Sequence, residues 1–444
     1  MGAEEATIPP AGTSAMRKVG RRIVPFLALL YFAAFLDRSN VSFAAPTMDA
    51  ELGFSASVYG LGAGVFFIGY VLFEVPSNLI LHRVGARRWI ARIMLTWGVA
   101  AAAMALVNGA AAFYVARLLL GVAEAGFFPG VIYYLTRWAP ACERARIIGL
   151  FMTAIAISTA LGGPLSSAVL GLANGALGVS GWRWLFLIEA LPSLVLGAAT
   201  FMLLPDTPED ASWLTAEEKS WLARTLEAEA ARRPPSRDAN GLRALADPSV
   251  VVLSLGYFGV EIGLYGVILW IPQILVAAGI PAAMAGAVTA VPYAIAAVAM
   301  VWWCRRSDRA RERPRHIAAA AAVGAAGLAA SGLLTHSPLL SVIAITFGAA
   351  GTLAVLPIFW TLPAARLQGA AAAGGIALIN AVGNIGGFVG PYAVGWLKDA
   401  TGDFAYGLMA LAAGVLATGV VALAIGHHSN VEQGALGAAE SSTA

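Results

Sequence analysis

The stretch IVPFLALLYFAAFLDRSNVSFAA, residues 23–45, is long and apolar enough to cross a bilayer, yet it holds Asp37 and Arg38 side by side. A run of about 20 apolar residues spans the hydrocarbon core of a membrane. A charge at that depth costs about 3 kcal/mol on insertion scales, so it is rare and usually functional. The stretch therefore predicts a membrane protein with a buried ionic site.

The composition extends this interpretation to the whole chain. Of 444 residues, 59% are hydrophobic and only 12% are charged, and the mean hydropathy is +0.76. The charged fraction is about half of that in globular proteins, so a bundle of membrane helices embedded in lipid is expected. Cys142 and Cys304 give neither a disulfide framework nor a metal-binding spacing. No cofactor, metal site or nucleic-acid partner is predicted.

Apolar segments of about 20 residues or more recur along the chain and predict membrane spans. The twelve predicted spans cover 22–45, 57–81, 88–108, 111–136, 146–171, 182–204, 249–277, 283–304, 316–335, 338–363, 370–396 and 404–426. The fold class is therefore predicted as an all-α membrane protein with 12 transmembrane helices in two six-helix bundles.

The charge pattern divides the chain into five predicted parts. They are a disordered cytoplasmic tail at 1–20, an N-terminal six-helix bundle at 21–204, a cytoplasmic linker at 205–248, a C-terminal six-helix bundle at 249–427 and a cytoplasmic tail at 428–444. The polar start shows no cleavable signal peptide. The linker is charged, is prone to form a helix from Thr215 to Ala231, and contains Pro234-Pro235.

Basic residues concentrate on one side of the predicted spans. Of the 28 Lys and Arg residues, all but Arg38, Arg117, Arg183 and Lys398 fall on that side. Because cytoplasmic loops carry the excess of Lys and Arg, both termini are predicted to be cytoplasmic.

The two halves also resemble each other. A basic turn follows span 2 and a weaker copy follows span 8; Gly-Gly-Pro elements occur in spans 5 and 11. Structural or gating roles are predicted for the charged residues of the two turns, which are Arg83, Arg87, Arg88, Asp308 and Arg309. An offset of six spans indicates a parallel repeat, with the substrate site near the midplane between the halves. The glycines predict close helix packing.

The charged pair in span 1 predicts two roles. Arg38 is suited to bind a carboxylate, because a guanidinium is always charged and can bind bidentately; the alternative is static pairing with neighbouring acids. Asp37 can change its charge, because burial and a nearby arginine act on its protonation in opposite directions, and it is a candidate for proton binding.

Span 4 carries a second charged group. Arg117, Gly121, Glu124 and Phe128 are spaced to share one helical face. Glu124 lies near the centre of the span, where a carboxylate must be protonated or partnered, so proton coupling and a static ion pair are the two interpretations. Arg117 lies nearer the periplasmic end, and substrate contact, gating and structural pairing all stay open.

Polar residues in the other spans complete the predicted site. Tyr70 in span 2 is a candidate hydroxyl donor to substrate, whereas Glu74 and Asn78, one and two turns further on, are predicted to bond between helices. Asn380 and Asn384 in span 11 offer uncharged donors, either to substrate or between helices. Tyr265, Trp270 and Trp360 are candidates for an aromatic cavity wall, with packing as the alternative. Glu261 is predicted either to tune substrate choice or to face the periplasmic mouth, and Glu189 either to pair with Arg183 or to cap that helix end.

Several of these stretches together resemble one known family. They are Phe35-Leu36-Asp37-Arg38-Ser39-Asn40, Gly69-Tyr70, Glu74-Val75-Pro76-Ser77-Asn78, Arg117-Leu118-Leu119-Leu120-Gly121, Glu124-Ala125-Gly126-Phe127-Phe128-Pro129-Gly130, Gly181-Trp182-Arg183-Trp184, Ile379-Asn380 to Asn384 with Gly386-Gly387, and Gly395-Trp396-Leu397-Lys398-Asp399. With the basic turns, they resemble the major facilitator superfamily and its anion:cation symporter branch, which holds bacterial permeases for tartrate, phthalate, hydroxyphenylacetate and sugar acids. The first basic turn departs from the superfamily pattern at His82, where an Asp is usual.

The resemblance implies that Arg38 binds the substrate carboxylate and that Glu124 is the main proton site. The predicted function is proton-coupled uptake of a small organic anion by alternating access, in a monomer of the bacterial inner membrane. Sodium stays open as the coupling ion. The alternatives are export of acidic metabolites on the same fold, and a membrane-embedded enzyme or sensor, although the sequence holds no nucleophile elbow, metal-ligand cluster or phosphate-binding loop.

Overall fold

A computed structural model describes residues 9–232, 248–310, 312–334, 337–366 and 369–442, and within these ranges the chain is built from helices without strands. The helices are α1 (Pro10–Leu52), α2 (Ala56–Val84), α3 (Ala86–Ala103), α4 (Ala110–Glu124), α5 (Phe127–Thr136), α6 (Ala141–Leu172), α7 (Gly181–Leu203), α8 (Ala216–Arg232), α9 (Pro248–Ala277), α10 (Ala282–Ala310), α11 (Arg313–Leu333), α12 (Pro338–Phe359), α13 (Thr361–Arg366), α14 (Gly369–Thr401) and α15 (Ala405–Ser442).

Twelve helical segments in the described part of the chain are long and apolar enough to cross a membrane. Helices α4 and α5 together form one of these segments, α12 and the start of α13 form another, and α8 lies between the sixth and the seventh. The prediction of an all-α membrane protein with 12 transmembrane helices is confirmed.

The first helix is much longer than predicted. Residues 10–20, predicted as part of a disordered tail, belong to α1, which has a proline at its first position. Ala15, Met16 and Val19 bury one face of this extension. On another face Lys18 forms an ion pair of 2.8 Å with Glu218 of α8. Packing of an amphipathic turn therefore orders a segment whose composition alone predicted disorder.

The predicted linker contains a helix, as expected from Thr215 to Ala231. Helix α8 begins with a capping box, in which the Glu218 amide donates to the Thr215 hydroxyl (3.3 Å) and the Thr215 amide donates to the Glu218 carboxylate (2.8 Å). Pro234-Pro235 lies outside the described residues. The bundle boundaries stay a prediction.

The two halves of the chain meet along a few helix pairs. Helix α2 packs along α14, α6 along α10, and α1 against α9. Helices α2 and α14 are spans 2 and 11, and their counterparts six spans away are spans 8 and 5, which are α10 and α6. The α2–α14 and α6–α10 contacts are therefore equivalent, as a parallel repeat requires. At the α6–α10 contact Gly163 lies against the main chain of Gly286, where a side chain would collide. The glycine-rich elements are thus located at helix contacts, as predicted.

Polar contacts across the halves are concentrated at the end opposite the basic turns. The Asp399 carboxylate at the end of α14 accepts the main-chain N–H groups of Ala56 (3.0 Å) and Ser57 (2.7 Å) at the start of α2. The Tyr59 hydroxyl donates to the Leu269 carbonyl at 2.7 Å. These bonds close this end of the central interface.

Candidate substrate and proton site

Arg38 of α1 lies at the centre of the candidate site. Its Nη2 atom forms an ion pair with Glu124 of α4, and its Nη1 atom donates a hydrogen bond of 2.9 Å to the Tyr265 hydroxyl on α9. The Arg38 side chain is 12% exposed and that of Glu124 is 1% exposed. Because α9 belongs to the second half of the chain, the guanidinium joins the two halves.

A break in the helix positions Glu124. Helix α4 ends at this residue, Ala125 is extended (ψ 131°), and Gly126 adopts a left-handed conformation (φ +84°) before α5 begins. A side chain at Gly126 would also collide with the Ser77 side chain. The prediction that Phe128 continues the face of Glu124 is therefore wrong, because the two residues lie on different helices. A carboxylate at a helix C-terminus is disfavoured by the helix dipole, and Arg38 compensates for this.

Aromatic rings surround the Arg38 guanidinium. Its Cζ atom lies 5.3 Å from the ring centroids of Phe35 and Phe66 and 5.5 Å from that of Tyr70, within the range of cation–π attraction. Tyr70, the predicted hydroxyl donor, is thus brought to the site. Arg38 Nε and Glu124 Oε2 are buried without a hydrogen-bond partner among the described residues. The pair therefore keeps hydrogen-bonding capacity for a ligand.

Asp37 points away from its neighbour. Its Oδ2 atom accepts hydrogen bonds from the Trp97 indole (2.8 Å) and the Ser193 hydroxyl (2.6 Å), and the residue is fully buried. Trp97 lies on α3 and Ser193 on α7, so Asp37 faces the interior of the first six spans. Asp37 and Arg38 therefore have different partners, because adjacent helical residues point about 100° apart.

Arg117 is held by main chain. Its Nε donates to the Gly62 carbonyl at 3.3 Å and its Nη2 to the Ala63 carbonyl at 3.0 Å, both on α2. Its Cζ lies 5.0 Å from the Phe66 ring centroid, so Phe66 contacts both buried arginines. Of the roles left open for Arg117, this geometry favours structural pairing between α4 and α2.

A second polar group joins α2 to α14. The Asn380 amide donates to Glu74 Oε1 at 3.2 Å across this contact. The Asn384 amide donates to the Asn380 carbonyl and the Asn78 amide to the Glu74 carbonyl, each within its own helix. Glu74 thus bonds between helices as predicted, whereas the inter-helix bond predicted for Asn78 is absent among the described residues, because its amide closes onto the preceding turn.

Three residues lie close together at the other side of the site. Tyr257 and Glu261 lie one turn apart on one face of α9, and Trp360 directly follows α12. The rings of Tyr257 and Trp360 meet edge to face at 4.8 Å. Trp360 therefore reaches the site through Tyr257, and Tyr265 reaches it directly through Arg38.

The residues of the two basic turns lie at one end of the molecule. Arg87 forms an ion pair of 3.1 Å with Asp206, and Asp308 one of 2.5 Å with Arg313. Arg83, Arg88 and Arg309 are exposed. In the part of the chain that the structure describes, none of the five forms a hydrogen bond or an ion pair with the Arg38 cluster, in keeping with a structural or gating role.

The predicted pairing of Glu189 with Arg183 is wrong. Arg183 lies in the first turn of α7, where it donates to the Ala105 carbonyl (2.5 Å) and pairs with Glu51 at 3.6 Å. Glu189 lies almost two turns deeper and accepts a hydrogen bond of 2.7 Å from Ser166. Trp270, predicted as cavity wall, instead donates to the Pro391 carbonyl at 3.0 Å and packs α9 against α14.

Sequence reasoning missed several residues of the site. Trp97 and Ser193 carry no charge and lie outside the motifs of the sequence, so no signal identifies them as partners of Asp37. Tyr257 had a signal, because Tyr257, Glu261 and Tyr265 are spaced by four and share a helical face. In the described residues no cluster of His, Cys, Asp and Glu side chains could hold a metal ion.

Comparison with known proteins gives a consistent picture. A sequence profile of the Major Facilitator Superfamily matches residues 27–391. A protein of Agrobacterium vitis named "Putative tartrate transporter" is 52% identical over 85% of this chain and 83% of its own length. The "Quinolone resistance transporter" of Acinetobacter baumannii is 43% identical over 85% of this chain and 87% of its own length. A bacterial homologue of the human lysosomal transporter Spinster, solved in an inward-facing, unoccupied conformation, matches with a TM-score of 0.74 and 18% identity over 96% and 97%.

Proposed function

The chain belongs to the major facilitator superfamily, and we propose that it imports a small organic anion, such as tartrate or a related hydroxy or aromatic carboxylate or sugar acid, together with protons. It is a multi-pass membrane transporter and not an enzyme. In our proposal it works as a monomer in the bacterial inner membrane, with both termini and the linker cytoplasmic and with one six-helix bundle rocking against the other.

The single observation that carries the proposal is the ion pair between Arg38 and Glu124 at the contact with Tyr265. A substrate carboxylate and Glu124 compete for the same guanidinium, which binds carboxylates in a bidentate manner. Protonation of Glu124 removes the competitor and frees Arg38 for the substrate. Deprotonation restores the internal pair and expels the substrate. Binding of anion and proton is thereby coupled.

The other predicted residues are given supporting roles in this scheme. Tyr70, Tyr265 and Trp360 form the aromatic and hydroxyl surroundings of the substrate, and Asn380 and Asn384 supply amide groups from α14. Asp37 is proposed as a second proton-coupling group, bound by Trp97 and Ser193. Protons that enter with an anion cancel its charge, whose uncompensated transfer against the membrane potential costs about 2.3 kcal/mol per 100 mV. The name of the Agrobacterium vitis relative supports tartrate as the first candidate.

Glu124→Gln tests the coupling. In proteoliposomes with an imposed proton gradient, wild type should accumulate tartrate, whereas Glu124→Gln should exchange labelled for unlabelled tartrate without accumulating it, because a glutamine mimics the protonated acid permanently. Replacing sodium with choline on both sides distinguishes the coupling ion. Unchanged accumulation by Glu124→Gln would exclude Glu124 as the coupling site, and loss of accumulation without sodium would assign coupling to sodium.

Export is a second candidate, favoured by one observation, the name of the Acinetobacter baumannii relative. In an antiporter the proton and the anion must exclude each other, which the competition for Arg38 does not provide, so another group would have to couple export. Right-side-out and inside-out vesicles distinguish the directions. Import predicts uptake of tartrate into right-side-out vesicles when the outside is made acidic, whereas export predicts uptake only into inside-out vesicles whose lumen is made acidic.

A further inference from the structure

We propose that Glu261 on α9 is a specificity-determining residue of the transport site, which accepts a hydrogen bond from a hydroxyl group of the carboxylate substrate. The transporter would then select hydroxycarboxylates over the same acids without hydroxyl groups. This role rests on the proposed function and adds to it a second contact point, opposite Arg38.

The position of Glu261 points to the substrate region. The residue is 4% exposed, and it lies one turn from Tyr265, whose hydroxyl bonds Arg38. Residues four apart lie on one helical face, so Glu261 is on the face of α9 that is turned towards Arg38. Gly386 of α14 packs against its side-chain stem, since a side chain there would lie 3.2 Å from the Glu261 Cβ atom. Glu261 is therefore held between α9 and α14 of the second half, with its helical face turned towards Arg38 of the first half.

The chemistry of Glu261 makes it an acceptor. An ionised carboxylate only accepts hydrogen bonds and has about four acceptor positions. Tyr257 lies one turn before Glu261 on the same face of α9, and its ring meets that of Trp360 edge to face at 4.8 Å. The acceptor positions of Glu261 are complementary to a donor on the ligand.

The charge balance of the cluster indicates which ligand group this is. Three acids lie around the contact between the halves, namely Glu74, Glu124 and Glu261. Among the described residues, Arg38 is the cation that pairs with an acid there. Arg117 is bound to main-chain carbonyls instead. A buried carboxylate needs hydrogen-bond donors to offset its desolvation. A second carboxylate of the substrate would repel Glu261, whereas a hydroxyl supplies the donor without adding charge.

Tartrate and succinate form a matched pair for the test, because these four-carbon dicarboxylates differ only in two hydroxyl groups. Their competition for labelled tartrate is measured in proteoliposomes containing wild type, Glu261→Gln or Glu261→Leu. Wild type should prefer tartrate by about tenfold or more, since a site built to bond a hydroxyl rejects the analogue without it. The preference should fall at least about fivefold in Glu261→Leu, with an intermediate loss in Glu261→Gln, while succinate affinity stays within about twofold.

Glu189→Gln serves as the control, because it makes the same change at a buried glutamate that bonds Ser166 instead of facing the substrate; its preference should match wild type. An unchanged preference in Glu261→Leu, or in the nearly isosteric Glu261→Gln if the leucine variant does not fold, would overturn the role of Glu261 and leave anion transport intact. Stronger competition by aspartate than by tartrate would also overturn it, because the donor would then be an ammonium group. If wild type binds none of the acids, the proposed function itself fails.

Discussion

Arg38, which is 12% exposed, and Arg117, which is buried, both lie against Phe66, yet their guanidinium groups have different hydrogen-bond partners. Arg38 meets a titratable carboxylate and the hydroxyl of Tyr265 from the other half of the chain, whereas Arg117 meets the carbonyls of Gly62 and Ala63. A carboxylate can release its cation when it gains a proton, but a main-chain carbonyl cannot. Arg38 can therefore lose its partner when that partner is protonated, whereas the partners of Arg117 are permanent.

The largest effect that tests this comparison is on substrate affinity. Arg38→Lys keeps the charge but removes the bidentate fork, so the affinity for tartrate should fall roughly 30-fold, which corresponds to loss of about 2 kcal/mol from one charge-assisted hydrogen bond. Arg117→Lys makes the same change at the permanent site and should leave the affinity within about threefold of wild type. Counterflow exchange in proteoliposomes measures both. Equal losses in the two variants would return Arg117 to the substrate-binding role that the sequence left open.

The sequence predicted the number of spans and singled out the charged residues within them, for a physical reason. Hydropathy is a property of about 20 consecutive residues, and a charge among them stands out. For the same reason Arg38 and Glu124 could be singled out separately, and static pairing, with a partner not specified, was one of the interpretations for each. What the spacing could not give was which arginine pairs with Glu124, because this depends on how α1 and α4 pack.

The errors of prediction also have local causes. The break at Ala125–Gly126 interrupts no apolar run, so the 3.6-residue periodicity continues through it and Phe128 was placed on the face of Glu124. Residues 10–20 of α1 are polar by composition, and only their contacts with the rest of the chain, such as Lys18 with Glu218, show why they are helical. Tertiary contacts decided both cases.

The second effect is on stability, where the change at Arg117 should have a larger effect than the change at Arg38. A lysine at position 117 can reach one of the two carbonyls of α2 but not both, and an unpaired buried carbonyl costs about 1–3 kcal/mol. Arg117→Lys should therefore lower the melting temperature of the purified protein more than Arg38→Lys does, as measured by intrinsic tryptophan fluorescence in detergent. A larger loss in Arg38→Lys would mean that the Arg38–Glu124 pair, rather than the Arg117 clamp, holds the first half together.

The smallest effect concerns an ion pair outside the centre, Lys18 with Glu218 of α8, which provides a reference for pH. Burial opposes ionisation of Glu218, but hydrogen bonds from Lys18 and from the Thr215 amide outweigh it and lower its pKa to about 2. A carboxyl group whose pKa falls on folding stabilises the fold above its unfolded pKa of about 4.3 and loses this contribution only as the pH falls towards the folded value. The contribution is therefore constant between about pH 8 and pH 5.

Glu218→Gln should lower the free energy of unfolding by less than about 1 kcal/mol, because Lys18 is partly exposed. The melting temperature should therefore fall slightly, and by the same amount at pH 8 and at pH 5. Transport by this variant should keep the pH profile of wild type, whereas Glu124→Gln should flatten it over the same range. If the effect of Glu218→Gln instead disappears at pH 5, Glu218 titrates in the working range, and part of the pH response belongs to the α1–α8 contact. If Glu218→Gln lowers the melting temperature equally at both pH values, Glu124, the partner of Arg38, remains the group that titrates between pH 8 and pH 5.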